Sequence, residues 1–138
     1  SLNSQTQTID RFFYQFSNGV KSHETIVWDA PGIESWHENA VQDYMTSLTE
    51  KTKPLCMIYC ASPGSFAQLR HVQWLIAECY RRRIFCALVC TNMWAGRNRQ
   101  EIVDGFKQIV SAVHPTITPT IEDRITYYGE VALVTMVN

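Results

Sequence analysis

Apolar residues follow two alternating patterns along most of this chain. The runs PLCMIYCA, IFCALVCT and EVALVTMV are continuously apolar, which is typical of strands buried on both faces of a parallel sheet. Three further segments repeat apolar residues every three or four positions, as amphipathic helices do. Each begins with a pair of residues suited to cap a helix. The pairs are Ser35 with Glu38, Ser65 with Gln68, and Asn98 with Glu101.

Near the start of the chain, the pattern changes to that of an antiparallel hairpin. The segments TIDRFFYQF and HETIVWD flank Asn18-Gly19, a strong signal for a tight hairpin turn. Phe12, Tyr14 and Phe16 alternate along the first segment, as expected for a half-exposed strand. In contrast, HPTITPTIEDRITYYG contains two prolines and no period. This segment therefore predicts a long loop before the last strand.

Together, these elements predict an α/β fold: a three-layer α/β/α, doubly wound, mostly parallel sheet with one antiparallel hairpin strand. The 138 residues suit one domain. We expect residues 1–138 to be a partial domain truncated at both ends, because a βα unit normally precedes such a hairpin and a helix normally follows the last strand. The open sheet edge left by that unit predicts a homo-oligomer.

Composition narrows the class of protein further. With 46% hydrophobic and 18% charged residues, the chain is typical of a globular protein. A net charge of -1 gives no reason to expect nucleic acid as a partner. No apolar run approaches the roughly 20 residues of a transmembrane segment, and the start lacks the features of a signal peptide. Four of the five cysteines lie in strand-like runs. This position favours reduced thiols in the hydrophobic core of a cytoplasmic protein.

The ends of the predicted strands indicate where a ligand would bind. In an open α/β sheet, ligands bind beyond the carboxyl ends of the strands, here residues 29–32, 61–65, 91–96 and 135–138. Asp29 stands at a strand end, where a carboxylate can hold Mg²⁺. Gly32 offers a backbone N–H without a side chain in the way of a phosphate. The alternative is that Asp29 merely begins a Pro-Gly turn, and these residues alone leave both interpretations open.

Taken in order, the segments resemble those of P-loop GTPases, in particular the septin-like, immunity-associated and interferon-inducible types. WDAPGIE resembles the D-x-x-G segment, and CALVCTN resembles the strand that carries the guanine-specificity motif. ALVTMVN lies where the family has its base-contacting loop. The resemblance implies GTP or GDP as ligand, with Mg²⁺. It implies Asp29 and either Thr6 or Thr8 for the metal, Gly32 for the γ-phosphate, and Asn92 for the guanine. Thr91 and Trp94 are further candidates for nucleotide binding, and for Trp94 the alternative is that it covers the edge of the sheet.

Departures from the family pattern define the alternatives. The phosphate loop G-x-x-x-x-G-K-[S/T] does not occur in the sequence, and Met93 and Ala95 replace the usual lysine and aspartate of the base motif. Ile33 follows Gly32, so no glutamine orients a water and no catalytic residue is assigned. We therefore expect a hydrolase in a parent protein that supplies the phosphate loop. The alternatives are a pseudo-GTPase that serves as an interaction module and an unrelated flavodoxin-like signalling domain.

Overall fold

A computed structural model describes residues 9–30, 32, 37–62, 69–91 and 99–138. The chain divides into two compact units, Ser1–Ile33 and Glu34–Asn138. The first contains β1 (Asp10–Ser17) and β2 (Ser22–Asp29). The second contains α1 (Glu38–Thr52), β3 (Cys56–Ala61), α2 (Leu69–Arg81), β4 (Phe85–Cys90), α3 (Arg99–Val113), β5 (Thr120–Glu122), β6 (Ile125–Tyr128) and β7 (Ala132–Met136).

The first unit is the predicted antiparallel hairpin, and its turn explains the pairing. The Asn18 side-chain oxygen accepts hydrogen bonds from the backbone amides of Val20 (3.0 Å) and Lys21 (2.7 Å). Gly19 has a φ of 85°, a conformation that costs glycine little. The prediction made from Asn18-Gly19 is confirmed.

Aromatic residues lie on both faces of this hairpin. Phe12 and Phe13 occupy alternate faces of β1 and are 48% and 52% exposed. Arg11 lies over the rings of Phe13 (4.5 Å) and Trp28 (5.7 Å), a cation–π arrangement that covers part of one face. The alternation of Phe12, Tyr14 and Phe16 is therefore as predicted, while the opposite face carries apolar groups as well.

The second unit is built on a five-stranded mixed sheet with the order β3-β4-β7-β6-β5. β3, β4 and β7 are parallel, and β6 and β5 join antiparallel. Cys86, Leu88 and Cys90 share one face of β4 and are buried. α2 and α3 both pack against β4, and Tyr59 of β3 meets Phe106 of α3 edge to face at 6.1 Å. The core of this unit lies between that face and the helices.

The helices follow the predicted apolar stripes, with a different start for α1. His37 occupies the N-cap position of α1, without a side-chain cap, so the prediction that Ser35 caps this helix is wrong. The capping residues Ser65 and Asn98 lie outside the described residues. None of the described helices is long and apolar enough to cross a membrane. The buried stripe residues include Val41, Met45 and Leu48 of α1, Val72, Leu75, Ile76 and Cys79 of α2, and Ile102, Val103, Phe106, Ile109 and Val110 of α3.

The predicted long loop before the last strand is wrong in part, because β5 and β6 lie within it. The two strands are joined by Asp123 and Arg124, whose φ angles are 50° and 69°. Such a two-residue turn with positive φ matches the twist of a hairpin. Pro115 and Pro119 lie before β5, so neither removes a hydrogen bond from the pairing.

The face of the sheet that carries Ile58 is more exposed than the continuously apolar strands predict. Ile58 of β3 is 61% exposed, and Cys56 and Cys60 on the same face are also exposed. Burial on both faces is therefore wrong for β3, because this strand lies at the edge of the sheet. The fold is a mixed α/β fold, and the doubly wound, three-layer arrangement stays a prediction.

Candidate functional site

The carboxyl ends of β3, β4 and β7 meet at one edge of the sheet, because these strands are parallel. The Thr91 amide donates a 2.8 Å hydrogen bond to the carbonyl of Ala61, and the Val137 amide donates one of 2.8 Å to the carbonyl of Cys90. These bonds extend the pairing one residue beyond each strand. The edge where a ligand was predicted to bind is therefore held by backbone hydrogen bonds.

Thr91 is the predicted base-binding residue that the structure describes at this edge. Its side chain is half-buried, and the hydroxyl lies 3.4 Å from the Ala61 carbonyl, to which it donates a long hydrogen bond. The hydroxyl is thus directed toward the end of β3. This contact holds the chain in place as it leaves β4, a positioning role that the sequence pattern did not indicate. Asn92 and Trp94, the other residues predicted to bind the base, lie outside the described residues.

Cys90 lies next to this edge and is not suited to act as a nucleophile. Its Sγ is 3.7 Å from the Thr91 carbonyl and 3.9 Å from the Arg99 carbonyl, and burial raises the pKa of the thiol. A hydrogen bond with Cys79, followed by burial, raises the pKa of Cys86 well above its ordinary value. These thiols stay protonated at neutral pH, which makes them weak nucleophiles. Cys79, Cys86 and Cys90 are buried, whereas Cys56 and Cys60 are exposed, so the expected core position is wrong for these two residues of β3.

Asp29 and Gly32, the predicted metal and phosphate residues, belong to the first unit. Asp29 is the last residue of β2, and both residues are exposed. Asp10 of β1 lies directly opposite Asp29 in the hairpin. Like charges at such paired positions repel one another. A hydrated Mg²⁺, which commonly uses only one or two carboxylates as protein ligands, would relieve that repulsion.

Sequence reasoning missed Asp10, because its proximity to Asp29 depends on strand register. The connection runs over residues 18–21, so that Ser17 pairs with Ser22 and Asp10 with Asp29, whereas a two-residue turn at Asn18-Gly19 would have placed Val27 opposite Asp10. Thr6 and Thr8, the other predicted metal ligands, lie outside the described residues. Within the described ranges, no group of three His, Cys, Asp or Glu side chains is arranged to hold a metal. The candidate metal site is therefore a pair of carboxylates at the open end of a hairpin.

The four histidines lie at exposed positions or in packing contacts. His23 and His37 are exposed. His71 is buried against Trp74, with ring centroids 5.6 Å apart. His114 is buried against Tyr80, with centroids 4.6 Å apart. These packing contacts favour a structural role for both buried rings.

The arginine run at the end of α2 is partly engaged in ion pairs. Glu78 is buried, and its carboxylate lies 2.6 Å from the guanidinium of Arg81 and 3.3 Å from that of Arg82. Arg82 also donates a 2.9 Å hydrogen bond to the hydroxyl of Thr46 in α1. The run therefore joins α2 to α1, which favours a structural role over phosphate binding.

Comparison with known protein families, curated proteins and solved structures gives no match to this chain. The case for a function consequently depends on the residues and their geometry.

Proposed function

We propose that the chain is a guanine-nucleotide-binding, GTPase-like domain with a doubly wound α/β fold. The observation that carries the proposal is the position of Asp29. It is an exposed carboxylate at the end of an apolar strand, with Asp10 opposite it and exposed Gly32 three residues further along the chain. A carboxylate and a glycine amide at this spacing suit a metal and the terminal phosphate of a nucleotide.

Each residue of this site has a specific role in the proposal. Asp29 holds Mg²⁺ through water, and Asp10 adds negative charge beside it. Gly32 donates its backbone N–H to the γ-phosphate, since no side chain obstructs the approach. Thr6 or Thr8 supplies a hydroxyl to the metal. Mg²⁺ neutralises charge on the phosphates when it is bound.

A base-binding segment is proposed separately, at the carboxyl end of β4 in the second unit. Thr91 fixes the backbone there through its hydrogen bond to Ala61. Asn92 then faces the guanine, and Trp94 stacks beside it. Met93 and Ala95 occupy the lysine and aspartate positions of the usual motif, so discrimination between guanine and other bases is weakened.

The phosphate loop determines how strongly a nucleotide is bound. Its backbone N–H groups and lysine supply much of the affinity for phosphate in P-loop proteins. Since the motif does not occur in this sequence, we propose tight GTP binding and hydrolysis only for a parent protein that provides it. Ile33 replaces the water-orienting glutamine, so turnover also requires a group from another molecule.

A second candidate function is that of an interaction module without nucleotide turnover. The missing phosphate loop, together with Met93 and Ala95, favours it. The partly exposed apolar face around Ile58 offers a surface for a protein partner. This module would keep the fold and lose the response to nucleotide.

Thermal unfolding with Mg²⁺ and GTP tests the proposal and separates the two candidates. A longer form of the protein that contains a phosphate loop should unfold at a higher temperature with ligand, since ligand at 100 times its Kd stabilises by about 2.7 kcal/mol. Asp29→Asn should remove most of the Mg²⁺-dependent part of that increase. Asp43→Asn, at an exposed position of α1, is the matched control and should leave the increase in place.

Two results would contradict the proposal. One is a longer form whose unfolding temperature does not respond to Mg²⁺ and GTP, which would support the interaction module. The other is an Asp29→Asn variant with an unchanged response, which would exclude a metal role for this carboxylate.

A further inference from the structure

Among the described strands, β3 forms an edge of the five-stranded sheet and has no charge, proline or bulge between Cys56 and Ala61. Within residues 54–62, PLCMIYCAS, no residue is charged. Leu55 is 90% exposed and Ile58 is 61% exposed. Proteins normally protect such edges with charges, prolines within the strand, bulges or a covering segment, because an open edge can pair with another strand. β3 pairs without interruption with β4 on its other side.

The opposite edge of the same sheet is protected. β5 has only three residues, and one of them is Glu122. Pro119 directly precedes this strand, and proline cannot donate a hydrogen bond to a ladder. Within the part of the chain that the structure describes, the two edges therefore differ in how readily they can accept a further strand, and β3 is the unprotected one.

We propose that β3 pairs with β3 of a second copy of this chain, antiparallel and about a two-fold axis at Ile58. Residues directly opposite in an antiparallel pair lie on the same face of the sheet. For two identical strands, this rule requires a two-fold axis that passes through a residue. Paired residues are then an even number of positions apart in the sequence, and their side chains point to the same face. With the axis at Ile58, the two copies of this exposed side chain cover each other.

The sequence of β3 is complementary to itself in this register. Cys56 lies opposite the second copy's Cys60, and Met57 lies opposite the second copy's Tyr59. No charge is opposed to a like charge at any position, which is the usual obstacle to pairing of identical strands. A second copy therefore matches this edge in three respects. No like charges meet, side chains of similar polarity lie opposite each other, and paired side chains lie on the same face of the sheet. The pairing uses none of the residues proposed to bind the nucleotide and would join two five-stranded sheets into one.

The pairing places two thiols of different copies close together. Side chains directly opposite in an antiparallel pair have Cβ atoms about 4.5–5.5 Å apart, near the spacing of a disulfide. Cys56 and Cys60 are both exposed, whereas Cys79, Cys86 and Cys90 are buried. An oxidant should therefore join Cys56 of one copy to Cys60 of the other in preference to the buried thiols.

Molar mass in solution, measured by light scattering after size exclusion, tests the pairing. The chain should have twice the monomer mass at high concentration. Ile58→Lys should have the monomer mass, because it places two ammonium groups opposite each other. Ile121→Lys is the matched control, since Ile121 is 72% exposed on the protected edge strand β5, and it should remain dimeric. Circular dichroism checks that both variants are folded.

Disulfide formation with diamide tests the register. Two thiols lose two protons and two electrons to the azo bond of diamide, which becomes a hydrazine while the disulfide forms. The unmodified chain should give a covalent dimer on a non-reducing gel. Cys56→Ser alone and Cys60→Ser alone should each give none. An equimolar mixture of these two variants should give a covalent dimer again, because each supplies the thiol that the other lacks.

These measurements would overturn the proposal in either of two ways. A monomer mass at all concentrations, or a dimer that Ile58→Lys leaves intact, would exclude β3 as the interface. A covalent dimer of Cys56→Ser or of Cys60→Ser alone would exclude the register centred on Ile58.

Discussion

At the scale of single residues, His114 shows how burial can outweigh a favourable charge interaction. The residue follows the last turn of α3, where its amide donates a 2.8 Å hydrogen bond to the Val110 carbonyl. A positive charge at the C-terminal end of a helix is normally favoured by the helix dipole. Burial nevertheless lowers the pKa of this imidazole below its ordinary value of 6.5. The ring is therefore neutral in the folded protein under conditions where an exposed histidine begins to bind a proton.

This lowered pKa predicts a loss of stability in mild acid. As the pH falls through 6.5, the unfolded chain binds a proton at His114 before the folded chain does. The free energy of unfolding must then decrease until the pH passes below the folded-state pKa. Urea unfolding measured from neutral to mildly acid pH should show that decrease, and His114→Gln should reduce it.

The matched control for this measurement is His23→Gln, at an exposed position in the hairpin. It should keep the pH dependence of the unmodified chain. If His114→Gln keeps the same pH dependence, the lowered pKa is not a source of acid instability.

The residues of the candidate site also show what a sequence can predict. Asp29 and Gly32 are predictable because their relation is local, three positions apart after an apolar strand. Asp10 requires the strand register, and the contact of the Thr91 hydroxyl with Ala61 requires the pairing of two strands that are distant in sequence. Neither of these relations appears in a periodicity of apolar residues.

At the scale of elements, local patterns predicted the β1–β2 hairpin and the buried stripes of the helices. Helical periodicity and the Asn18-Gly19 turn both act within a few residues, so the sequence displays them directly. The β5–β6 hairpin was missed because its turn, Asp123-Arg124, lacks the glycine that usually marks such a turn. The exposure of β3 was missed for another reason: its edge position follows from the order of strands, which composition does not reveal.

The Asp123-Arg124 turn predicts a stabilising substitution. Arg124 has a φ of 69°, and a left-handed conformation costs a residue with a Cβ roughly 1–2 kcal/mol. Glycine does not carry this cost, so Arg124→Gly should raise the free energy of unfolding by about 1 kcal/mol after the greater freedom of unfolded glycine is deducted. The Thr135 hydroxyl donates a hydrogen bond to the backbone carbonyl of Arg124, and glycine retains that carbonyl.

The reverse substitution provides the control for this prediction. Gly129 has a φ of 55°, and an added Cβ would lie 3.7 Å from Ile117, an ordinary contact distance. Gly129→Ala should therefore lower stability through backbone strain alone. Equilibrium unfolding in urea measures both variants, and an Arg124→Gly variant no more stable than the unmodified chain would show that the turn is not strained.

At the scale of the whole molecule, pairing through β3 would connect folding to association. A partner that binds only the folded state stabilises it by mass action. The unfolding temperature of the chain should therefore rise with protein concentration. That of Ile58→Lys should not depend on concentration, because this variant cannot pair.

Differential scanning calorimetry over a range of protein concentrations measures this effect. Ile121→Lys, which leaves β3 unchanged, should retain the concentration dependence. An unfolding temperature of the unmodified chain that is independent of concentration would contradict a dimer coupled to folding.

The position of β7 has a consequence for how the protein is made. Of the seven strands in the described residues, β7 comes last in sequence, yet it lies between β4 and β6 in the sheet. During synthesis, β3 and β4 can pair as soon as they leave the ribosome, and β5 and β6 can form their own hairpin. These two pieces have no shared edge until β7 emerges and joins them. The sheet is therefore completed only when β7 has left the ribosome, and a nascent chain halted before residue 132 would expose the apolar edge of β4 to chaperones and proteases.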